Sequence, residues 1–208
     1  MRLNTIVHLA KTTELKQIIV GEDDEQILSL LNLALIEVYA KFAILQEEHT
    51  INIEEGRTRY RLPPNVQKVL QAYVRNIIKD PLNGEDGFEE IPLNDINSDK
   101  SIFTPQPYLL HIPNPDLGKI YSIMTIVAPP CITKENIDTI EFFVPEQYVD
   151  PILHYMAYRA YKSMNGDQQT EIGTHLQAYM SACDEVYRKG LAHTPMMTNI
   201  KLTDRGWV

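Results

Sequence analysis

The sequence predicts an α+β fold: mainly a helical bundle, with a small antiparallel β region inserted and an extended C-terminal arm. Three observations predict it. Apolar residues recur at three- and four-residue steps in QILSLLNLALIEVYAKF, in VDPILHYMAYRAYKSM and in the stretch that holds LQAYMSACDEVY, which is the signature of buried helix faces. Between these lies a region of short alternating segments broken by glycine and proline, the pattern of strands and turns. Beyond Gly190, LAHTPMMTNIKLTDRGWV has no helical period. Residues 1–48 and 145–190 are therefore assigned to the bundle, 49–144 to the inserted β-rich region and 191–208 to the arm.

At the N-terminus, Asn4 and Thr5 are candidate caps for a short helix carrying Ile6, Val7 and Ala10. TTELKQI reads as a second short helical piece with Thr12 or Thr13 as its cap, and Gly21 ends it. Glu22, Asp23, Asp24 and Glu25 then open a long helix, where negative charge suits the N-terminal dipole. Its apolar residues, from Ile27 and Leu28 to Tyr39 and Phe42, cover more than half the circumference. Such a helix is central to a bundle or lies between the bundle and a subunit neighbour. HTINI, the turn EEGRT and RYRL form a hairpin signal, ended by Pro63 and Pro64. VQKVLQAYVRN fits strand or helix, with strand favoured after the double proline. DPLNGEDGF and NDINSDKSIFTPQP read as exposed loops, with EEIPLND a short strand between them. YLLHIP and IYSIMTIVAPP are read as a strand pair across NPDLGK. In the next helix, Val149, Ile152, Leu153, Met156, Ala157, Ala160 and Met164 share a face, flanked by Tyr148, Tyr155, Tyr158 and Tyr161. Pro145 and Pro151 sit at or before its first turn, where proline is tolerated. The last helix carries Ile172, Leu176, Tyr179, Met180, Cys183, Val186 and Tyr187, and Gly190 suits its C-terminal cap.

Composition narrows the function. The chain has 208 residues, 44% hydrophobic and 23% charged, ordinary for one or two soluble globular domains. Its formal charge of -9 argues against binding DNA through a general electrostatic field. Two distant cysteines, Cys131 and Cys183, do not make a disulfide framework. MRLNTIVHLAK is too short and too polar for a signal peptide, and no apolar run is long enough for a membrane span. Phosphate-binding loops, G-x-S-x-G and H-E-x-x-H are all missing. Glu171 and His175 are four apart on one helix, as are Asp150 and His154; both read as surface pairs rather than metal sites. Asp95, Asn97 and Asp99 imitate the start of a calcium loop, but Lys100 and Gln106 stand where glycine and glutamate are needed. Hence no catalytic residue, metal site or cofactor is assigned.

The order of the elements carries a resemblance. DDEQILSLLNLALIEVYAKF, then TINIEEGRTRYRLPPNVQKVLQAYVRN, then FFVPEQYVDPILHYMAYRAYKSMNGD followed by LQAYMSACDEVY resembles the phage head-to-tail adaptors, also called head-tail connector or tail tubular proteins. The resemblance runs from about Thr13 to Ala192. It implies a structural virion protein, not an enzyme, forming a ring, usually of twelve copies, at the head-tail junction after assembly in the host cytoplasm. The implied partners are the portal protein, a downstream tail or nozzle protein and other copies of itself, with DNA only passing through the channel and no membrane. By position the arm 191–208 docks on the portal, and Met196, Met197, Ile200, Leu202 and Trp207 are its anchors by chemistry. A self-packing flap is the alternative for that arm. Leu28, Leu35, Tyr39, Tyr148, Tyr155 and Tyr158 are the subunit-interface candidates. Glu85, Asp86, Glu89 and Glu90 belong to an acidic loop facing the channel or the next tail component. Competing readings are a small-ligand or metal-dependent enzyme using Glu171, His175 and tyrosines, and a tail terminator or nozzle protein, a more β-rich class.

Overall fold

The computed structural model describes residues 1–16, 24–76, 87–164 and 169–192. They fall into two compact units, one of Met1–Ala43 with the chain from Pro129 onward, the other of Ile44–Ala128. The first is helical and the second is built of strands, so the fold is α+β.

In the helical unit, α1 (Leu3–Thr12), α2 (Asp24–Phe42) and α4 (Gln169–Arg188) all pack against α3 (Val149–Ser163). The sequence explains the arrangement. Ile27, Leu28, Leu30, Leu31, Ala34, Leu35, Val38, Tyr39 and Phe42 are buried along α2, so it meets neighbours across a wide arc, as its apolar circumference predicts. On α3 the buried residues include Val149, Ile152, Leu153, Met156, Ala157 and Ala160. Met164 lies just beyond the helix end and is exposed. Tyr148 and Tyr161 are buried rather than flanking, because their rings are large enough to fill the interior. On α4 only Tyr179, Cys183 and Val186 are buried, while Met180 and Tyr187 are exposed. A 3-10 turn, Glu146–Tyr148, leads into α3, and Pro151 occupies the helix's first turn.

The helix ends depart from the expected caps. Arg2, not Asn4 or Thr5, stands at the start of α1, with no side-chain cap. Asn4 instead donates from its side-chain amide to the Asp138 carboxylate. Thr12 and Thr13 donate to the carbonyls of His8 and Leu9, closing the end of α1 rather than starting a new helix. Residues 13–16 form turns there. The stop of α4 follows the expectation. Gly190 has φ +66°, its N–H donates to Tyr187 O at 3.0 Å, and Leu191 N–H donates to Val186 O at 3.1 Å. Those paired bonds satisfy two terminal carbonyls, and the left-handed turn favours glycine.

The chain from Pro129 to Val144 contains no named strand and clusters with the helices. It is tied along its length. The Asn32 side chain on α2 accepts from Ile132 N–H and donates to Ile132 O, both at 2.8 Å. Met1 exchanges backbone bonds with Val144, and Arg2 pairs with Phe143 as an isolated bridge.

The strand unit holds two antiparallel sheets. One has the order β1 (Gln46–Asn52), β7 (Ile120–Val127), β3 (Val66–Asn76), β4 (Gly87–Ile91). The other has β2 (Arg59–Arg61), β6 (Leu109–His111), β5 (Phe103–Gln106). Two expected pairings are corrected. HTINI and RYRL do not form a hairpin, since β1 pairs with β7 and β2 with β6. YLLHIP and IYSIMTIVAPP do not pair across NPDLGK, because β6 and β7 belong to different sheets. The reason lies in β7, buried at Tyr121, Ser122, Ile123 and again from Thr125 to Val127. At eight residues β7 needs long partners for the backbone groups on both its edges, and β1 and β3 supply them along nearly its whole length where the three-residue β6 cannot. The segment read as a loop, SIFTPQP, also contributes β5. Val66, Val69, Ala72, Val74, Ile91, Ile102, Leu110, Ile112, Ile123 and Val127 are in the shared core of this unit. Thr125, fully buried, donates to Glu47 O at 3.2 Å, so its hydroxyl is satisfied within the sheet.

Candidate functional site

The residues expected at subunit contacts lie at different depths in the helical unit. Leu28, Leu35, Tyr39 and Tyr148 lie inside the helical unit, none more than 6% exposed. Tyr39 packs on Phe142 with ring centroids 5.4 Å apart, and Tyr148 packs on Phe42 at 5.0 Å. Burial pushes the Tyr39 hydroxyl far above the usual phenol range. Tyr155 and Tyr158 are half-buried. Tyr155 touches Tyr158 at 5.8 Å and meets Tyr179 edge-on at 5.1 Å. The Tyr179 hydroxyl donates to Glu37 at 3.4 Å, and Lys41 lies over the Tyr179 ring at 5.5 Å. Burial raises the Tyr179 hydroxyl strongly, and it raises the Cys183 thiol beside it. This cluster draws on α2, α3 and α4, and it joins buried ring area to polar tips.

The outer stripe of α2 carries apolar residues that the candidate set does not include. Leu33 and Ile36 are 41% and 44% exposed, three apart and therefore neighbours on the helix surface. Their signal was present in the sequence: α2 has more apolar residues than one buried face can hold. Separating the unburied ones from the rest required knowing which neighbours cover the helix.

Of the acidic candidates, Glu89 and Glu90 are exposed on the edge strand β4 rather than in a loop. Glu89 pairs with Lys100 at 2.9 Å. That hydrogen-bonded ammonium lowers the Glu89 carboxyl below the ordinary glutamate range and raises Lys100. Glu85 and Asp86 lie outside the described residues, as do the arm anchors Met196, Met197, Ile200, Leu202 and Trp207.

The calcium-like run resolves into turn chemistry. Asp95 accepts from Asn97 N–H at 2.9 Å, and its own N–H donates to the Ser101 hydroxyl at 2.9 Å, an Asx-type turn with the carboxylate used locally. Glu171 and His175 are not the pairing that stands out. His175 Nδ1 lies 3.4 Å from Glu14 Oε2, and His154 Nδ1 lies 3.7 Å from the same oxygen. Glu14, His154 and His175 are the one group of three such residues among the described residues whose donor atoms converge, all within 4.8 Å of one another. Sequence reasoning placed both histidines beside carboxylates on their own helices. It missed Glu14, which comes from the turn after α1. No helix of the described residues is long and apolar enough to cross a membrane.

No curated protein matches the sequence. A family described as SU10 adaptor protein does, over residues 8–199. That match spans both units and all of the named helices and strands except the first half of α1. With a family match across nearly the whole chain, this protein belongs to the SU10 adaptor protein family, the structural adaptors of phage virions.

Proposed function

We propose that copies of this chain close into a ring, of twelve subunits as in the adaptors it resembles, at the head-to-tail junction. In that position the ring joins the portal to the tail, and DNA leaves the head through its channel. The observation that carries this reading is the adaptor family match over residues 8–199. The exposed apolar residues of the helical unit support it. A ring of identical subunits needs unlike contact surfaces and no catalytic pocket. Leu33 and Ile36 on α2, with Tyr155 and Tyr158 on α3, are the subunit-contact residues in this reading. Leu28, Leu35, Tyr39 and Tyr148 pack behind them and hold that surface in shape. The arm 191–208 docks on the portal through Met196, Met197, Ile200, Leu202 and Trp207. Glu85, Asp86, Glu89 and Glu90 face the channel or the next tail protein. If they face the channel, negative charge keeps DNA from adhering.

The test is the mass and negative-stain image of the purified protein, alone and mixed with the portal protein encoded beside it. A ring, free or formed only on the portal, supports the proposal and says whether assembly is templated. A monomer that ignores the portal overturns it.

A further inference from the structure

We infer that Glu14, His154 and His175 form a binding site for a divalent transition-metal ion of the zinc class, which clamps the end of α1 to α3 and α4. The inference rests on the donor geometry and is independent of ring assembly.

Two imidazoles and one carboxylate are the donor set that zinc-class ions prefer. At bond lengths of about 2.0–2.1 Å, ligand atoms of a tetrahedral site stand about 3.3 Å apart. Glu14 Oε2 to His175 Nδ1 is 3.4 Å, and Glu14 Oε2 to His154 Nδ1 is 3.7 Å. The remaining edge is within 4.8 Å, so small side-chain rotations close the triangle. Both histidines turn the same ring nitrogen toward one carboxylate oxygen.

A plain carboxylate–imidazole pair explains the cluster less well. Each separation is longer than a good N–H···O hydrogen bond. His154 Nδ1 is shielded from solvent and has no hydrogen-bond partner among the described residues. A buried nitrogen without a partner is costly, and a metal ion would use its lone pair. The surroundings also hold the ligands in place. The Tyr161 ring stacks on His175 with centroids 4.8 Å apart and planes 17° apart. Leu15, fully buried, bonds through its N–H to Ala10 O at 2.9 Å and fixes the turn that presents Glu14. All three side chains stay partly accessible, at 26%, 27% and 14% for Glu14, His154 and His175. The site therefore lies close to the surface, although the His154 nitrogen itself is shielded.

The test uses the full chain, freed of any affinity tag and stripped with a chelator. Zinc is titrated in competition with a chromophoric chelator, and cobalt(II) is added separately to read its visible spectrum. The expected result is one ion per chain and shifted His154 and His175 imidazole resonances in the cobalt form of the unmodified protein. The melting temperature should rise by roughly 5–10 °C at a free zinc concentration about a hundredfold above Kd. His154→Gln and His175→Gln should each weaken binding more than about tenfold, and Glu14→Gln should also weaken it. No stoichiometric binding at about 100 μM zinc would overturn the site. So would binding that is unchanged in folded His154→Gln/His175→Gln protein, or cobalt shifts that fall on other histidines. Should that double variant fail to fold, the cobalt resonances of the unmodified chain decide.

Discussion

Replacing Asn32 by Ala should loosen the 129–144 segment from the helical unit and lower that unit's stability by about 2 kcal/mol. Asn32 makes two 2.8 Å hydrogen bonds with the backbone of Ile132, one accepted and one donated. Each contributes about 1 kcal/mol net, and more if its partner is left buried and unpaired. The partner here is buried, since Ile132 is only 2% exposed. Ala supplies neither bond. Asp keeps the acceptor for Ile132 N–H but sets a carboxylate against Ile132 O, so it should cost about as much as Ala. A loss of about 2 kcal/mol speeds exchange of the Ile132 amide roughly thirtyfold, if exchange occurs through opening of this segment. It also lowers the melting temperature of a unit this size by roughly 5–8 °C. Hydrogen exchange read by mass spectrometry is the primary assay, because two units need not melt as one transition. Unchanged Ile132 exchange, with a melting shift below about 2 °C in the Ala variant, would refute the reasoning.

Leu33→Glu with Ile36→Glu should abolish ring formation by mass measurement while leaving the melting temperature of the free subunit nearly unchanged, since both side chains are substantially exposed. Gly190→Ala should destabilise the end of α4 by about 1 kcal/mol, measured by denaturant unfolding, because Gly190 holds a left-handed turn at φ +66°. Glu89 should titrate below the ordinary glutamate range in carboxyl NMR and return to it in Lys100→Gln. Its folded pKa is lowered, so the stabilisation from the pair is present above the ordinary glutamate pKa and lost as pH falls through the folded value. Tyr179 should resist ionisation in an alkaline absorbance titration, its raised folded pKa making the unit less stable as pH climbs past the ordinary phenol range.

The helices were legible because their signal is local. The periodic apolar residues of α2 and α3 state which faces must be covered, and Gly190 states where α4 stops. VQKVLQAYVRN was legible only in part, since its residues fit strand or helix, and pairing with β4 and β7 makes it a strand. Pairing was not legible. The turns after HTINI and after YLLHIP look like hairpin turns, and local chemistry points to neighbours pairing. Strand β7 overrules both, because its backbone finds long partners on both edges in β1 and β3. Caps failed in a similar way. Asn4, Thr12 and Thr13 are good cap residues, but their side chains found partners at Asp138, His8 and Leu9.

The candidate surfaces divide along the same line. The sequence by itself determined the α+β class, the helices and their apolar faces, and the order of elements that resembles the adaptors. Those properties follow from periodicities within a dozen residues. Tertiary structure alone decided that Leu28, Leu35, Tyr39 and Tyr148 fill the interior while Leu33 and Ile36 remain outside, because exposure depends on which other helix lies above each residue. It also decided that Glu14 meets His154 and His175, residues far apart in the chain. No spacing rule on one helix contains that meeting, since it arises from α1, α3 and α4 packing together to bury their apolar faces.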